Sequence, residues 1–459
     1  MDIFRLPTAL ASANNGLNDR RTMRWATAAV LILGVILRFA WVFHDGFRVI
    51  PNEGFFEAAA FAARGELADA YGPGTGLSAH LSPGMPVLVG TIYRLLGVGT
   101  PIAEFALSCL SLAFIYTSFL ALSAAFERLG VAPIARFGAI AMLALVPLNI
   151  FFEMQGFRHW EGGLATAAIA VFLAWSLALD ARDERPGWLR LGLMAAAAGV
   201  LSLFSLPAAL ACYGMLGWLA LRKHGWLGLA GATVASLALF VAISYPWALR
   251  NEAVFGEKIW TRSSFGFNFA IAYFDGAINP SDPRRAFMDR IGEISPLIHP
   301  QALAKLKAAG GELGYNRLWM ARTEEWIGGH PVSALKITAR HMWQFYFPPL
   351  WMWYPDARFI AVFKQAITWM ITFIGLVGLG LKIAARDWRY IYVAAPLFLM
   401  MLPYLFIEPV VRYHYPIGGL LVFLAADLVW RAALSALKRA PERRFSRASF
   451  LAGPGSEGP

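Results

Sequence analysis

Cysteine and charge are what this chain has least of. Its 459 residues include two cysteines, Cys109 and Cys212, and both lie inside apolar runs. With no cysteine in a polar loop, a disulfide framework and a thiolate metal site are excluded. Charged residues make up 15% of the chain, against roughly a quarter in soluble proteins. The histidines offer a metal nothing either. His80, His159, His299, His330, His341 and His414 show no HxH, HxxxH or HxxE spacing. A Walker loop and a GxSxG elbow are also missing, which removes the usual nucleotide-hydrolysing and serine-hydrolase readings. Neither a metal nor a cofactor is expected.

What fills the space is apolar. The composition is 58% hydrophobic with mean hydropathy +0.53, and many runs approach or exceed the ~18 residues of a membrane helix. The expectation is an all-α polytopic membrane protein. A net charge of +11 suggests nucleic acid at first sight. The basic residues, however, sit between apolar runs rather than on one soluble module, which is the orientation signal of membrane proteins. No nucleic-acid partner is expected; membrane lipids are.

Charge bias then orders the chain. Residues 1–24 are basic near their end (Arg20, Arg21, Arg24), which predicts a cytoplasmic N-terminal segment before a first span at 25–44. That run is long enough to stay as a span, and no small-residue cleavage site follows a short apolar core. Residues 45–100 form a first outer loop. Spans two to seven fill 101–246, at about 101–126, 135–152, 161–179, 190–205, 207–221 and 226–246, with a hairpin at Ser205-Leu206-Pro207 where proline removes a helix donor. A second outer segment, 247–358, has short helices near Gln301–Leu306 and Leu318–Trp326 and a turn at Asn279–Arg285. Spans eight to ten fill 359–432, and 433–459 is a basic cytoplasmic tail. Every inner turn then carries two or more Arg or Lys. About ten spans keep that bias throughout, and both long loops fall on one side.

Within the first outer loop, Glu53 and Glu57 are four apart and share one face of a helix. Glu53 sits beside Phe55 and Phe56, where burial raises a carboxylate toward the range of a general base; a solvated interfacial helix is the plainer reading. Glu153 and Glu161 flank a turn containing Arg158 and His159, for which an ion-paired structural role suffices. Arg250, Lys258 and Arg262 follow span seven on the outer side, against the orientation rule. An anionic headgroup or phosphate would supply the reason, since the guanidinium fork donates two parallel bonds; snorkelling to bulk phospholipid is the alternative. Arg412, Tyr413 and His414 stand at the last outer turn, Arg412 as a phosphate clamp and the rings as interface residues.

Four pieces in this order resemble the GT-C glycosyltransferases, integral-membrane enzymes similar to protein O-mannosyltransferases and aminoarabinose lipid A transferases. They are Asn52-Glu53-Gly54-Phe55-Phe56, Ala79-His80-Leu81-Ser82-Pro83-Gly84, Pro246-Trp247-Ala248-Leu249-Arg250-Asn251 through Phe255-Gly256, and Arg412-Tyr413-His414-Tyr415-Pro416. The resemblance implies a GT-C-like bundle, a sugar donor on a polyprenyl phosphate, and an acidic residue in the first loop near the acceptor. It makes Asn52 and His80 substrate contacts alongside the basic residues. Relatives usually have Asp-Glu where this chain has Asn52-Glu53, so Glu53 is the expected base and Glu57 the next choice. The expected activity is transfer of a hexosyl or pentosyl group to a hydroxyl of a lipid, glycan or protein acceptor on the outer face of a cell inner membrane, with both termini cytoplasmic. A transporter or flippase of a lipid-linked saccharide and a non-catalytic envelope assembly partner are the other classes. The first expects intramembrane charges and broken helices; Arg38 and Asp427 are the conspicuous charges inside spans.

Overall fold

The computed structural model describes residues 20–146, 148–353 and 357–451. Most of the expected N-terminal segment, through residue 19, and the last eight residues of the basic tail lie outside them. Among the described residues there is no β-strand, only an antiparallel bridge between Ala68 and Leu77. The chain is an all-helical membrane bundle. Among the described residues seven helices are long and apolar enough to cross a bilayer, or eight if a bent pair counts as one span, so it is a multi-pass membrane protein.

Ten spans were expected, and the difference arises in two places. The hairpin partner Trp188–Ser202 has only 15 residues. The two runs after it, within Leu206–Phe255, are two helices that meet across a kink at Gly225 (φ 71°, ψ −162°) and count once among the seven; that is a backbone state glycine adopts without a Cβ penalty. Pro207 does stand in the first turn of that helix, where its missing N–H costs nothing.

The first span is α1 (Arg20–Asp45). The first polar segment contributes α2 (Glu53–Arg64) and α3 (Gly84–Leu96). Next come α4 (Pro101–Arg128), which Thr100 caps, and α5 (Pro133–Leu145). A 74° bend separates α5 from the short α6 (Ile150–Met154) and the 3-10 turn that follows it. Arg38 shows why the bend is stable. Its guanidinium donates to the Ala144 and Leu143 carbonyls, at 2.7 and 3.0 Å, and to Glu153 Oε2 at 2.7 Å. The last carbonyls of a helix lack partners of their own, and here a buried arginine from α1 supplies them. Tyr415 donates to the other Glu153 oxygen at 2.7 Å. Asp427 is likewise paired, with Lys382 and Arg431. The intramembrane charges that a transport reading would require are therefore tied up in structure.

The bundle continues with α7 (Gly162–Asp180), α8 (Trp188–Ser202) and α9 (Leu206–Phe255). The second polar segment is built of α10 (Phe265–Ala272), α11 (Pro283–Ile294), α12 (Pro300–Ala308), α13 (Glu312–Gly329) and α14 (Pro331–Tyr346). The turn expected through Arg285 gives way to α11, because Asp282 accepts from the Arg285 N–H and starts a helix there. Finally α15 (Arg358–Ala384), α16 (Ile391–Leu399) and α17 (Val411–Leu451) complete the bundle. The main apolar core runs through α4, α7, α8, α9, α16 and α17. A separate cluster joins Ala70 and Tyr71 of the first polar segment to Phe267, Ile294, Leu306, Tyr315 and Trp319 of the second. The two polar segments thus share a core.

Candidate active site

The helix that carries Glu53 is fixed at both ends. Asn52 caps α2: its Oδ1 accepts from the Phe55 N–H at 3.0 Å and its Nδ2 donates to the Ile50 carbonyl at 2.9 Å. Gly65 ends the helix in the left-handed region, φ 75°. Gly54 lies so close to the chain after α6 that a Cβ there would stand 2.6 Å from the His159 carbonyl oxygen. His159 is buried and its Nε2 accepts from Tyr93 or donates to it at 2.7 Å; Tyr93 also reaches Glu104 at 2.5 Å, and Arg158 closes the chain on Glu104 at 3.1 Å. This internal network accounts for Arg158 and His159 as structural groups.

Glu53 itself is half-buried at the start of α2. Burial raises its pKa, opposed by a backbone hydrogen bond and by the charge of Arg412. Arg412 lies over the Trp160 ring, 4.0 Å from its centroid, and donates to the Tyr413 hydroxyl at 3.1 Å. The charges of Glu53 and Glu161 both act on it, yet among the described residues it makes no ion pair. Arg262 approaches from the second polar segment, close enough for its charge to act on His80 and on Tyr404. Arg412 and Glu161 act on the same Tyr404, which stacks on Tyr413 with ring centroids 4.3 Å apart. Arg412, Trp160, Tyr413 and Tyr404 are thus in contact, and the charges of Glu53, Glu161 and Arg262 act on that group.

Glu57 belongs to a different group one turn along α2. Ser78 Oγ lies 2.6 Å from Glu57 Oε1 and 2.5 Å from Glu312 Oε2, and it accepts from the His80 N–H at 3.0 Å. A hydroxyl has one proton to give. It satisfies one carboxylate, and the second contact closes only when that carboxyl carries a proton and donates to Oγ. Burial pushes Glu57 well above the ordinary carboxylate range, and the nearby Glu312 charge adds to the rise. Burial also raises Glu312, against hydrogen bonds from Ser263, Ser78 and the Ala79 N–H and the charge of Arg250. Both the geometry and the raised pKa values favour a proton held by the pair.

The remaining residues divide between these groups and the outside. Arg250 donates to the Ser78 and Leu67 carbonyls, both at 2.8 Å, and stacks over Trp247; its guanidinium clamps the first polar segment onto α9. His80 is buried, meets the Tyr71 hydroxyl at 2.9 Å, and is held neutral, its pKa lowered to about 3 by burial and by Arg262. His414 turns inward and bonds the Phe345 carbonyl at 2.9 Å, beside a cavity of about 70 Å³ that Glu153 and Tyr415 also line. Lys258 pairs with Glu252 at 3.6 Å on an exposed surface. Sequence reasoning missed Glu312, Tyr404 and Trp160. The only hint of Glu312 is its place at a helix start after Gly310-Gly311; nothing local marks the other two, which matter only through their neighbours in space.

No family model matches the chain, and no curated protein matches it. Among solved structures it is similar to the archaeal oligosaccharyltransferase AglB from Archaeoglobus fulgidus, in complex with an inhibitory peptide and a dolichol-phosphate. That match has a TM-score of 0.47 and 13% identity over 95% of this chain and 53% of the other; this chain spans about half the length of AglB. It is also similar to ArnT from Cupriavidus metallidurans bound to undecaprenyl phosphate, with a TM-score of 0.35 and 18% identity over 89% of this chain and 79% of the other.

Proposed function

We propose that the protein is a glycosyltransferase that moves a sugar from a polyprenyl-phosphate donor to an acceptor hydroxyl on the outer face of a cell inner membrane. One observation carries the reading. A carboxylate whose pKa burial raises, Glu53, lies near enough for its charge to act on Arg412, and among the described residues Arg412 forms no ion pair. An arginine that a fold leaves half-buried and unpaired is a site for an anion supplied from outside.

In this mechanism Glu53 takes the proton of the acceptor hydroxyl, and its raised pKa brings it nearer the working pH of a general base. The acceptor oxygen forms a bond to the anomeric carbon through an oxocarbenium-like state. The bond from that carbon to the phosphate oxygen breaks, and its electron pair leaves with the lipid phosphate. Arg412 and Arg262 stabilise the departing charge. Arg250 and His80 shape the floor of the site through the first polar segment, and Glu57 and Glu312 hold the two segments together around it.

Glu53→Gln keeps the shape and removes the base. Purified protein in nanodiscs is given a labelled polyprenyl-phosphate sugar and an envelope extract as acceptor source. Loss of transfer in the variant, with its thermal unfolding unchanged, is the expected result; wild-type turnover in a folded Gln variant would overturn the assignment.

A further inference from the structure

A second cleft lies apart from Glu53, between the end of α10, the start of α11, α14 and the chain before α17. Its cavity is about 340 Å³, within the range of about 300–1,000 Å³ for small-molecule clefts. Phe274, Phe287 and Trp351 give it aromatic walls, and the Phe287 and Trp351 rings pair at 5.3 Å between centroids.

Three polar side chains reach the same space. Arg340 and Gln344 are one turn apart on α14, and Glu408 comes from the chain before α17. Arg340 donates to the Ala277 carbonyl through Nη2 at 2.7 Å, while its buried Nε has no partner among the described residues. Gln344 is 8% exposed, and its Oε1 is buried with no partner among the described residues. Glu408 is steadied by His341 Nε2 at 2.9 Å on one oxygen only. Buried polar atoms are nearly always satisfied in a folded protein. An unused donor and an unused acceptor lining one cleft point to a ligand that supplies both.

The chemistry narrows the ligand. One guanidinium and one carboxylate balance, so the cleft does not select a net charge. Planar hydrogen-bonding groups beside aromatic faces suit a molecule with a ring of hydroxyls and an apolar C–H face. An acyl chain would strand the polar atoms, and a phosphate would meet Glu408.

We propose that this cleft binds a neutral pyranose of a glycan chain. Resting on the sugar-transfer reading, it makes the acceptor a glycan, held here while its free hydroxyl extends toward Glu53. Glu408 stands four residues before Arg412, so the two sites share one short connection.

The test is direct binding of neutral disaccharides (cellobiose, mannobiose and diacetylchitobiose) to the intact protein in nanodiscs by saturation-transfer NMR. Saturable binding of at least one is expected, weakened about tenfold by Gln344→Leu. Trp351→Ala is a second variant should the first unfold, and thermal unfolding checks both. Equal binding in folded variants, no binding of any disaccharide to the wild type, or displacement by inorganic phosphate would each overturn the proposal. The two readings fail separately: binding without donor consumption removes sugar transfer and leaves the cleft, whereas donor consumption without disaccharide binding does the reverse.

Discussion

Two successive turns of α2, at Glu53 and at Glu57, treat charge in opposite ways. Around Glu57 most polar atoms have a partner, Glu57 Oε2 being the exception among the described residues: Ser78, Leu81 N–H, Glu312, Ser263 and the Ala79 N–H interlock, and Arg250 spends its guanidinium on two backbone carbonyls. Around Glu53 the charges converge without neutralising each other. Arg412 rests on Trp160 and Tyr413, and among the described residues it forms no ion pair. A satisfied network fixes geometry; an unsatisfied one has capacity left for a substrate. One turn of helix separates the part of the molecule that holds the site from the part that would use it.

The sharpest way to break this contrast is Arg412→Ala. If the unpaired guanidinium stabilises a leaving phosphate, transfer falls by about a hundredfold or more while thermal unfolding barely moves. A large loss of stability with intact turnover would make Arg412 a structural residue like Arg250. Arg250→Ala should behave in the opposite sense. It strands the Ser78 and Leu67 carbonyls and costs about 3 kcal/mol, read as a drop in the denaturation midpoint; any loss of activity should track the loss of folded protein.

Glu312→Gln sharpens the comparison through pH. The pKa values of Glu312 and Glu57 are raised in the folded protein, so the folded state binds protons that the unfolded chain has released. Their contribution to stability is full below the ordinary carboxylate value of 4.5 and declines as pH rises through the folded value. An amide cannot ionise, so the variant should lose less stability between acid and mildly alkaline pH than the wild type. An unchanged slope in thermal unfolding against pH would mean that the pair does not share a proton. The smallest effect belongs to the surface: Arg285→Ala removes an exposed pair with Asp289 and should shift unfolding by less than about 0.5 kcal/mol.

Much of the fold was legible because a bilayer imposes a simple rule: long apolar runs become helices and basic turns divide them. The second and fourth spans fall within two residues of their expected ends, and the first begins four residues before its expected start and ends one after its expected end. The count was less legible. Whether Gly225 divides two spans or interrupts one is a matter of backbone path, and composition does not encode it. In the site, Glu53 stood out by its apolar neighbours and Arg412 by its position after an apolar run. Their proximity was not visible, because 359 positions of chain separate them in sequence and only packing joins them. Arg250 looked like a phosphate ligand for the same reason that it serves as a clamp, since one guanidinium fork suits phosphate oxygens and carbonyl oxygens alike.

By itself the sequence determined that the chain enters a membrane as helices and that polar stretches collect between them, since hydropathy is a property of each segment alone. Tertiary structure decided which charges are consumed and which are left over. That depends on the partners within a few ångströms of each group, and for Arg38, Glu312 and Arg412 those partners come from distant parts of the chain.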